Sequence, residues 1–116
     1  MQRVSSNQNI VIGTTDKDIL QGSAGNDLYI VNHARDFVLE STDVSIDTVE
    51  ASVSYSLGDN LENLTLTGSA NLSGIGNSSN NTISGNDGNN RLLAGAGADA
   101  VYGGLGGDTI NGGSGA

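Results

Sequence analysis

The chain has 116 residues, 18 of them Gly, with no Pro, Cys or Trp, one Phe and three Tyr, a composition that excludes disulfide staples and a core built on aromatic rings. Thirteen acidic side chains against four basic ones leave a net charge of -9, which excludes the phosphate backbone of nucleic acid as a default partner. At 35% apolar and 3% aromatic residues, buried area falls short of chain entropy unless a ligand adds free energy to the folded state, and a cation fits the charge.

The stretch from Met1 to Ile10 has no apolar run of signal-peptide length, and 18 consecutive apolar residues occur nowhere, so no transmembrane segment is expected. A nine-residue period begins at Val4 when Asp or Asn is placed at position six and an apolar residue at position eight. Units 4–12 (VSSNQNIVI), 13–21 (GTTDKDILQ), 22–30 (GSAGNDLYI) and 31–39 (VNHARDFVL) carry Asn9, Asp18, Asp27 and Asp36 at position six. Their position-eight residues are Val11, Leu20, Tyr29 and Val38.

Between residues 40 and 75 the period breaks. A two-residue insertion puts Asp47 and Val49 back in the acidic and apolar slots. Beyond them Val49, Ala51, Val53, Tyr55 and Leu57 alternate, as do Leu64 and Leu66, which predicts longer strands with one buried side on either flank of a turn at Gly58-Asp59-Asn60. The period then returns in 76–84 (GNSSNNTIS), 85–93 (GNDGNNRLL), 94–102 (AGAGADAVY) and 103–111 (GGLGGDTIN). Here Asn81, Asn90, Asp99 and Asp108 hold position six, and Ile83, Leu92, Val101 and Ile110 hold position eight. The partial unit 112–116 stops inside a repeat. The expectation is one continuous solenoid in three segments, 4–39, 40–75 and 76–116, forming part of a larger polypeptide.

Six residues rich in Gly, Asn and Asp followed by x-apolar-x describe a turn and a three-residue strand, of which only the middle side chain points inward. Two such units make one coil of 18 residues, and parallel strands of successive coils stack ~4.8 Å apart in two facing sheets. The predicted fold is therefore all-β, a parallel β-roll or β-helix solenoid. Parity places Val11 and Tyr29 in one sheet and Leu20 and Val38 in the other, with Ile83 and Val101 opposing Leu92 and Ile110.

GSAGNDLYI, AGAGADAVY and above all GGLGGDTIN resemble the repeats-in-toxin (RTX), hemolysin-type nonapeptide G-G-x-G-x-D-x-U-x, a calcium-binding β-helix repeat. The segment IDTVEASVSYSLGDNLENLTLTG is similar to stretches found between such repeats in large secreted bacterial proteins. The resemblance implies several calcium ions, each between the loop of one unit and that of the next but one. Position-six side chains and loop carbonyls would be the ligands. Carried over position by position, this pairs Asn81 with Asp99, Asn90 with Asp108, Asn9 with Asp27, and Asp18 with Asp36, and it adds the loop glycines Gly95, Gly97, Gly103, Gly104 and Gly106.

Asn at position six keeps an oxygen and loses a charge, so sites containing it should bind more weakly. For Asn9, Asn81 and Asn90 the sequence supports equally a calcium ligand and a metal-free amide ladder. The loop from Val31 to Asp36 has no Gly and sets Arg35 beside its Asp. Asp16, Asp43 and Asp87 read as solubilising surface charge.

A hydrolytic triad would have to use the single His33, which lies in a polar loop without a nucleophile motif, and one His without Cys cannot complete a typical zinc site. No catalytic constellation is expected. The function expected is a calcium-binding module that folds outside the cell and supports the folding, type I secretion and stability of a larger secreted protein. The alternative is a polysaccharide-binding module attached to a secreted carbohydrate-modifying enzyme. A third idea, ice binding, lacks a sustained row of outward threonines.

Overall fold

A computed structural model describes residues 2–5, 10–13, 18–21, 26–33, 36–39, 46–58 and 61–112, with the backbone alone at 2–5 and 39. The described residues form strands and turns, without a helix: β1 (Gln2–Ser5), β2 (Ile10–Ile12), β3 (Asp18–Gln21), β4 (Leu28–Val31), β5 (Phe37–Leu39), β6 (Thr48–Ala51), β7 (Tyr55–Ser56), β8 (Asn63–Leu66), β9 (Ser73–Ile75), β10 (Thr82–Ser84), β11 (Arg91–Leu93), β12 (Ala100–Tyr102) and β13 (Thr109–Asn111). Consequently no described helix is long and apolar enough to cross a membrane.

All pairings are parallel and join alternate strands, the pattern of a chain that winds. One continuous sheet has the order β12-β10-β8-β6-β4-β2. The opposite wall is split into β1-β3-β5 and β13-β11-β9-β7. Val11 stands in register with Tyr29, Tyr29 with Val49, Val49 with Leu64, Leu64 with Ile83, and Ile83 with Val101. Across the core Leu20 aligns with Val38, and Leu92 with Ile110. The parity sorting expected from the sequence is the sorting found.

Most of these inward residues are fully buried, and each contributes one apolar layer because its neighbours in a short strand face outward. The last coil has a partner strand on one side only, so Val101 is half-buried and Ile110 is 49% exposed. Asp47 and Val49 do return to their slots. The alternation from Val49 to Leu57 is divided, however, by bends at Ser52 and Val53 that carry the chain from β6 across to β7. A corner of odd length preserves alternation, which is why one period covers strands of two different sheets. Of the expected turn at Gly58-Asp59-Asn60, Asp59 and Asn60 lie outside the described residues.

Coil length varies where the period breaks: Tyr29 to Val49 is 20 residues, Val49 to Leu64 is 15 and Leu64 to Ile83 is 19. The split wall falls in the same region, where a cleft of about 330 Å³ opens between β5 and β7 and Tyr55 lines it.

Candidate metal sites

The position-six side chains turn into the coil. Asp18, Asp27, Asp36, Asp47, Asn81 and Asn90 are all buried, an arrangement that is costly for a carboxylate without hydrogen-bond donors. The donors are backbone amides of the coil before. Asp18 N–H donates to Asp36 Oδ1 (2.8 Å), Asp27 N–H to Asp47 Oδ1 (2.8 Å), Asn81 N–H to Asp99 Oδ1 (2.6 Å) and Asn90 N–H to Asp108 Oδ1 (2.7 Å). Three of the four expected pairs, 18/36, 81/99 and 90/108, are thus brought together. Asn9, the expected partner of Asp27, lies outside the described residues, as do Asp16, Asp43 and Arg35.

The same side chains close their own loops. Asp36 Oδ2 accepts from Asn32 N–H (3.3 Å) and His33 N–H (3.2 Å), Asn81 Oδ1 from Asn77 N–H (2.9 Å), and Asn90 Oδ1 from Asn86 N–H (2.8 Å). A second ladder runs through position five. Asn71 Oδ1 accepts from Asn89 N–H, Asn89 Oδ1 from Gly107 N–H and Asn80 Oδ1 from Ala98 N–H, each at 2.8 Å. Each rung ties the tip of one turn to the turn above it without a metal.

The loops 94–99 and 103–108 differ from those below them. Gly95, Gly97, Gly104 and Gly106 have φ between +80 and +101°, the left-handed region in which a Cβ is penalised. At each, a Cβ would come within 2.5 to 2.9 Å of a backbone carbonyl of the preceding coil: Asn77, Ser79, Asn86 and Gly88 respectively. Glycine therefore leaves a cup of carbonyl oxygens open between the loops. Gly103 has another role, since a Cβ there would lie 2.6 Å from Asp108 Oδ2.

Asp99 Oδ2 is buried and has no hydrogen-bond partner, a carboxylate oxygen left with an unmet demand for positive charge. Among the described residues no three His, Cys, Asp or Glu side chains converge on one point. A cation in these loops must therefore draw most of its oxygens from the backbone. Calcium accepts that donor set, and the residues of the two upper loops fit it.

Beneath loops 76–81 and 85–90 the corresponding space is filled by side-chain amides. Asn77 Nδ2 donates to Gly58 O (2.7 Å) and Leu61 O (2.8 Å), and Asn86 Nδ2 to Thr67 O (3.1 Å) and Ala70 O (3.0 Å). Asn81 Nδ2 reaches Glu62 O (3.1 Å). In the N-terminal segment Asn32 Nδ2 reaches Gly13 O (2.9 Å) in the same manner.

Two residues of this framework escape a reading by period alone. Glu62 substitutes for Asp in the slot above Asp47, with Oε2 accepting from Asp47 N–H at 3.0 Å. Gly74 occupies the apolar slot of β9, in register with Tyr55 and Leu92. A Cβ on Gly74 would sit 3.1 Å from a methyl of Leu64 and 3.3 Å from one of Leu92, so the two leucines already fill that layer. The signal for Glu62 is an acidic residue two places before an inward Leu, as Asp47 precedes Val49.

Tyr55 spans the split in the wall. Burial pushes its phenol up to about 12, opposed by a backbone hydrogen bond from Val38 and aided by the Asp36 carboxylate.

A family model of the RTX calcium-binding nonapeptide repeat matches the chain in four copies, over residues 5–32 and 75–110. Endo-1,3-1,4-beta-glycanase EglC of Rhizobium meliloti (strain 1021) is 40% identical over 63 residues, which make up 54% of this chain and 13% of the glycanase. No solved structure matches.

Proposed function

Because the chain belongs to the family of RTX calcium-binding nonapeptide repeats, a non-catalytic repeat typical of secreted bacterial proteins, we propose that it is the β-roll module of a larger secreted protein. Calcium outside the cell drives its folding and so supports the folding, type I secretion and stability of the parent. The observation that carries this reading is the pair of glycine-lined cups between loops 76–81 and 94–99 and between 85–90 and 103–108, together with the buried, unpartnered Asp99 Oδ2 of the first pair. Asp99, Asp108 and the carbonyls that face Gly95, Gly97, Gly104 and Gly106 would hold the ions.

Bound calcium supplies positive charge to a chain of net charge -9 and joins adjacent turns. The chain's own residues do the rest. Left-handed glycines aim the carbonyls, the position-six carboxylates set coil spacing, and the inward aliphatic rows form once the turns are held. Asp18 and Asp36 were also expected as ligands, but Asp36 already accepts three backbone N–H groups, so its part in this reading is to shape the turn. Asp27 stands below Asp47 in the same kind of ladder.

The test is far-UV circular dichroism of the full chain. Millimolar calcium should convert coil to β signal, and magnesium, which demands a tighter octahedron, should not. An apo chain with the full β signal and an unchanged melting temperature would overturn the reading.

A second reading, a polysaccharide-binding module of a carbohydrate-active parent, draws on the likeness to part of a glycanase and on the cleft where Phe37 and Tyr55 flank Ser54, Ser56 and Ser73. A pull-down on neutral and acidic polysaccharides, with and without calcium, separates the two.

A further inference from the structure

The loop stack contains two kinds of gap, distinguished by what stands at position two of the loop above. Where position two is Gly, as at Gly95 and Gly104, no side chain covers the carbonyls beneath, and Asn77 O and Asn86 O lie 2.8 and 2.9 Å from where a Cβ would stand. Where it is Asn, as at Asn77 and Asn86, the side-chain NH2 reaches down and bonds two carbonyls of the coil below at 2.7 to 3.1 Å.

The orientation of these amides is not arbitrary. Asn77 Oδ1 accepts from Ser79 N–H (2.8 Å) and Asn86 Oδ1 from Gly88 N–H (2.9 Å), both groups that can only donate. The other end of each amide meets carbonyls that can only accept. Both hydrogens of each NH2 are used, one per carbonyl, so the oxygens a cation would need are already satisfied.

We propose that Asn77 and Asn86 are built-in surrogates for calcium: their NH2 groups close the gaps beneath loops 76–81 and 85–90, and the ions are confined to the two glycine-lined gaps above. The inference rests on the calcium reading and assigns within it which turns need metal. Its physical logic is one of charge. An amide presents two partial positive hydrogens to the carbonyls without adding an ion. Asn81 and Asn90 reinforce the same closure, since their Nδ2 groups also point into the coil below, at Glu62 O (3.1 Å) and at Leu72 O (3.4 Å). In the folded chain the central turns thereby close without an ion of their own, and the calcium-holding turns are laid on them. Asn32, bonded to Gly13 O, marks the same device in the N-terminal segment.

The test counts ions and follows the amides. In the full chain, Asn86→Gly combined with Asn90→Asp restores Gly at position two and Asp at position six of loop 85–90. By native mass spectrometry or titration calorimetry this variant should bind one further calcium per chain than the wild type. An unchanged count in a folded variant would overturn the proposal. Should the variant fail to fold, the wild type decides through NMR hydrogen exchange of its side-chain amides. In the calcium-saturated chain the Asn77 and Asn86 NH2 protons should exchange about tenfold or more slower than those of a free amide. Unprotected NH2 protons in the folded, calcium-saturated chain would show an ion in place of the amide and would overturn the proposal. A wild type that took up no calcium would refute the proposed function, and the exchange data would still decide the gap assignment by themselves.

Discussion

Replacing Asn86 by Ala removes four hydrogen bonds at once: those from Nδ2 to Thr67 O and Ala70 O, and those that Oδ1 accepts from Gly88 N–H and Asn90 Nδ2. The side chain is 7% exposed, so water does not readily replace the lost partners. At about 1 kcal/mol net per hydrogen bond, with an added penalty for carbonyls left buried and unsatisfied, the loss is about 3 to 5 kcal/mol. That is a large part of the ~5 to 15 kcal/mol that holds a domain folded. Urea denaturation at saturating calcium measures it. With a slope of about 1.5 kcal/mol per molar, the midpoint should fall by about 2 to 3 M. Ser78→Ala, on the exposed tip of the neighbouring loop, should stay within about 0.5 kcal/mol of the wild type. A midpoint shift below about 0.5 M for Asn86→Ala would refute the reasoning, because it would mean that the amide network adds nothing beyond what solvent gives.

Asp108→Ala should weaken calcium binding, read by titration calorimetry, more than Asp36→Ala does, since the Asp36 carboxylate is already spent on three backbone amides; the reverse order would show that charge count outweighs loop geometry. Gly106→Ala forces a Cβ to φ +92° and against Gly88 O, costing about 1 to 2 kcal/mol from the backbone alone, so the calcium midpoint should rise about tenfold or more. Gly107→Ala next to it, where a Cβ meets nothing closer than 3.7 Å, should leave the midpoint unchanged. The Tyr55 phenol is raised in the folded state, so its contribution is fully present below about pH 10 and is lost as pH rises to about 12. Denaturant titrations across that window should show a fall of up to about 3 kcal/mol that Tyr55→Phe abolishes, and an equal fall in both proteins would exclude the phenol as its source.

The solenoid, its 18-residue coil and the sorting of inward residues were legible because one apolar residue per nine is a strict requirement of a three-residue strand. Val11, Tyr29, Ile83 and Leu92 advertise it directly. The middle segment was less legible for reasons particular to its residues. Gly74 carries no apolar signal, since Leu64 and Leu92 fill its layer from either side. Glu62 reaches the position-six slot with one more methylene than Asp. The corner at Ser52 and Val53 keeps the two-residue alternation running, so a change of sheet leaves no mark in the pattern. At the candidate sites the left-handed glycines were readable as Gly, whereas the role of Asn77 and Asn86 was not. Whether an Asn at position two points outward or reaches the coil below depends on carbonyls 16 to 19 residues earlier, which only the folded register brings together.

Calcium-coupled folding is tested most directly by the free calcium concentration at which the chain becomes half folded. The full chain would be held in buffers from 0.1 µM to 10 mM free calcium, on the order of the range from cytosolic to extracellular levels, with the β signal read by circular dichroism. A midpoint of about 10⁻⁴ to 10⁻³ M is predicted, the range of extracellular modules, which keeps the chain unfolded inside the cell and folds it outside. A chain already fully β at 0.1 µM would contradict calcium-coupled folding outside the cell and make the repeats a permanently assembled scaffold.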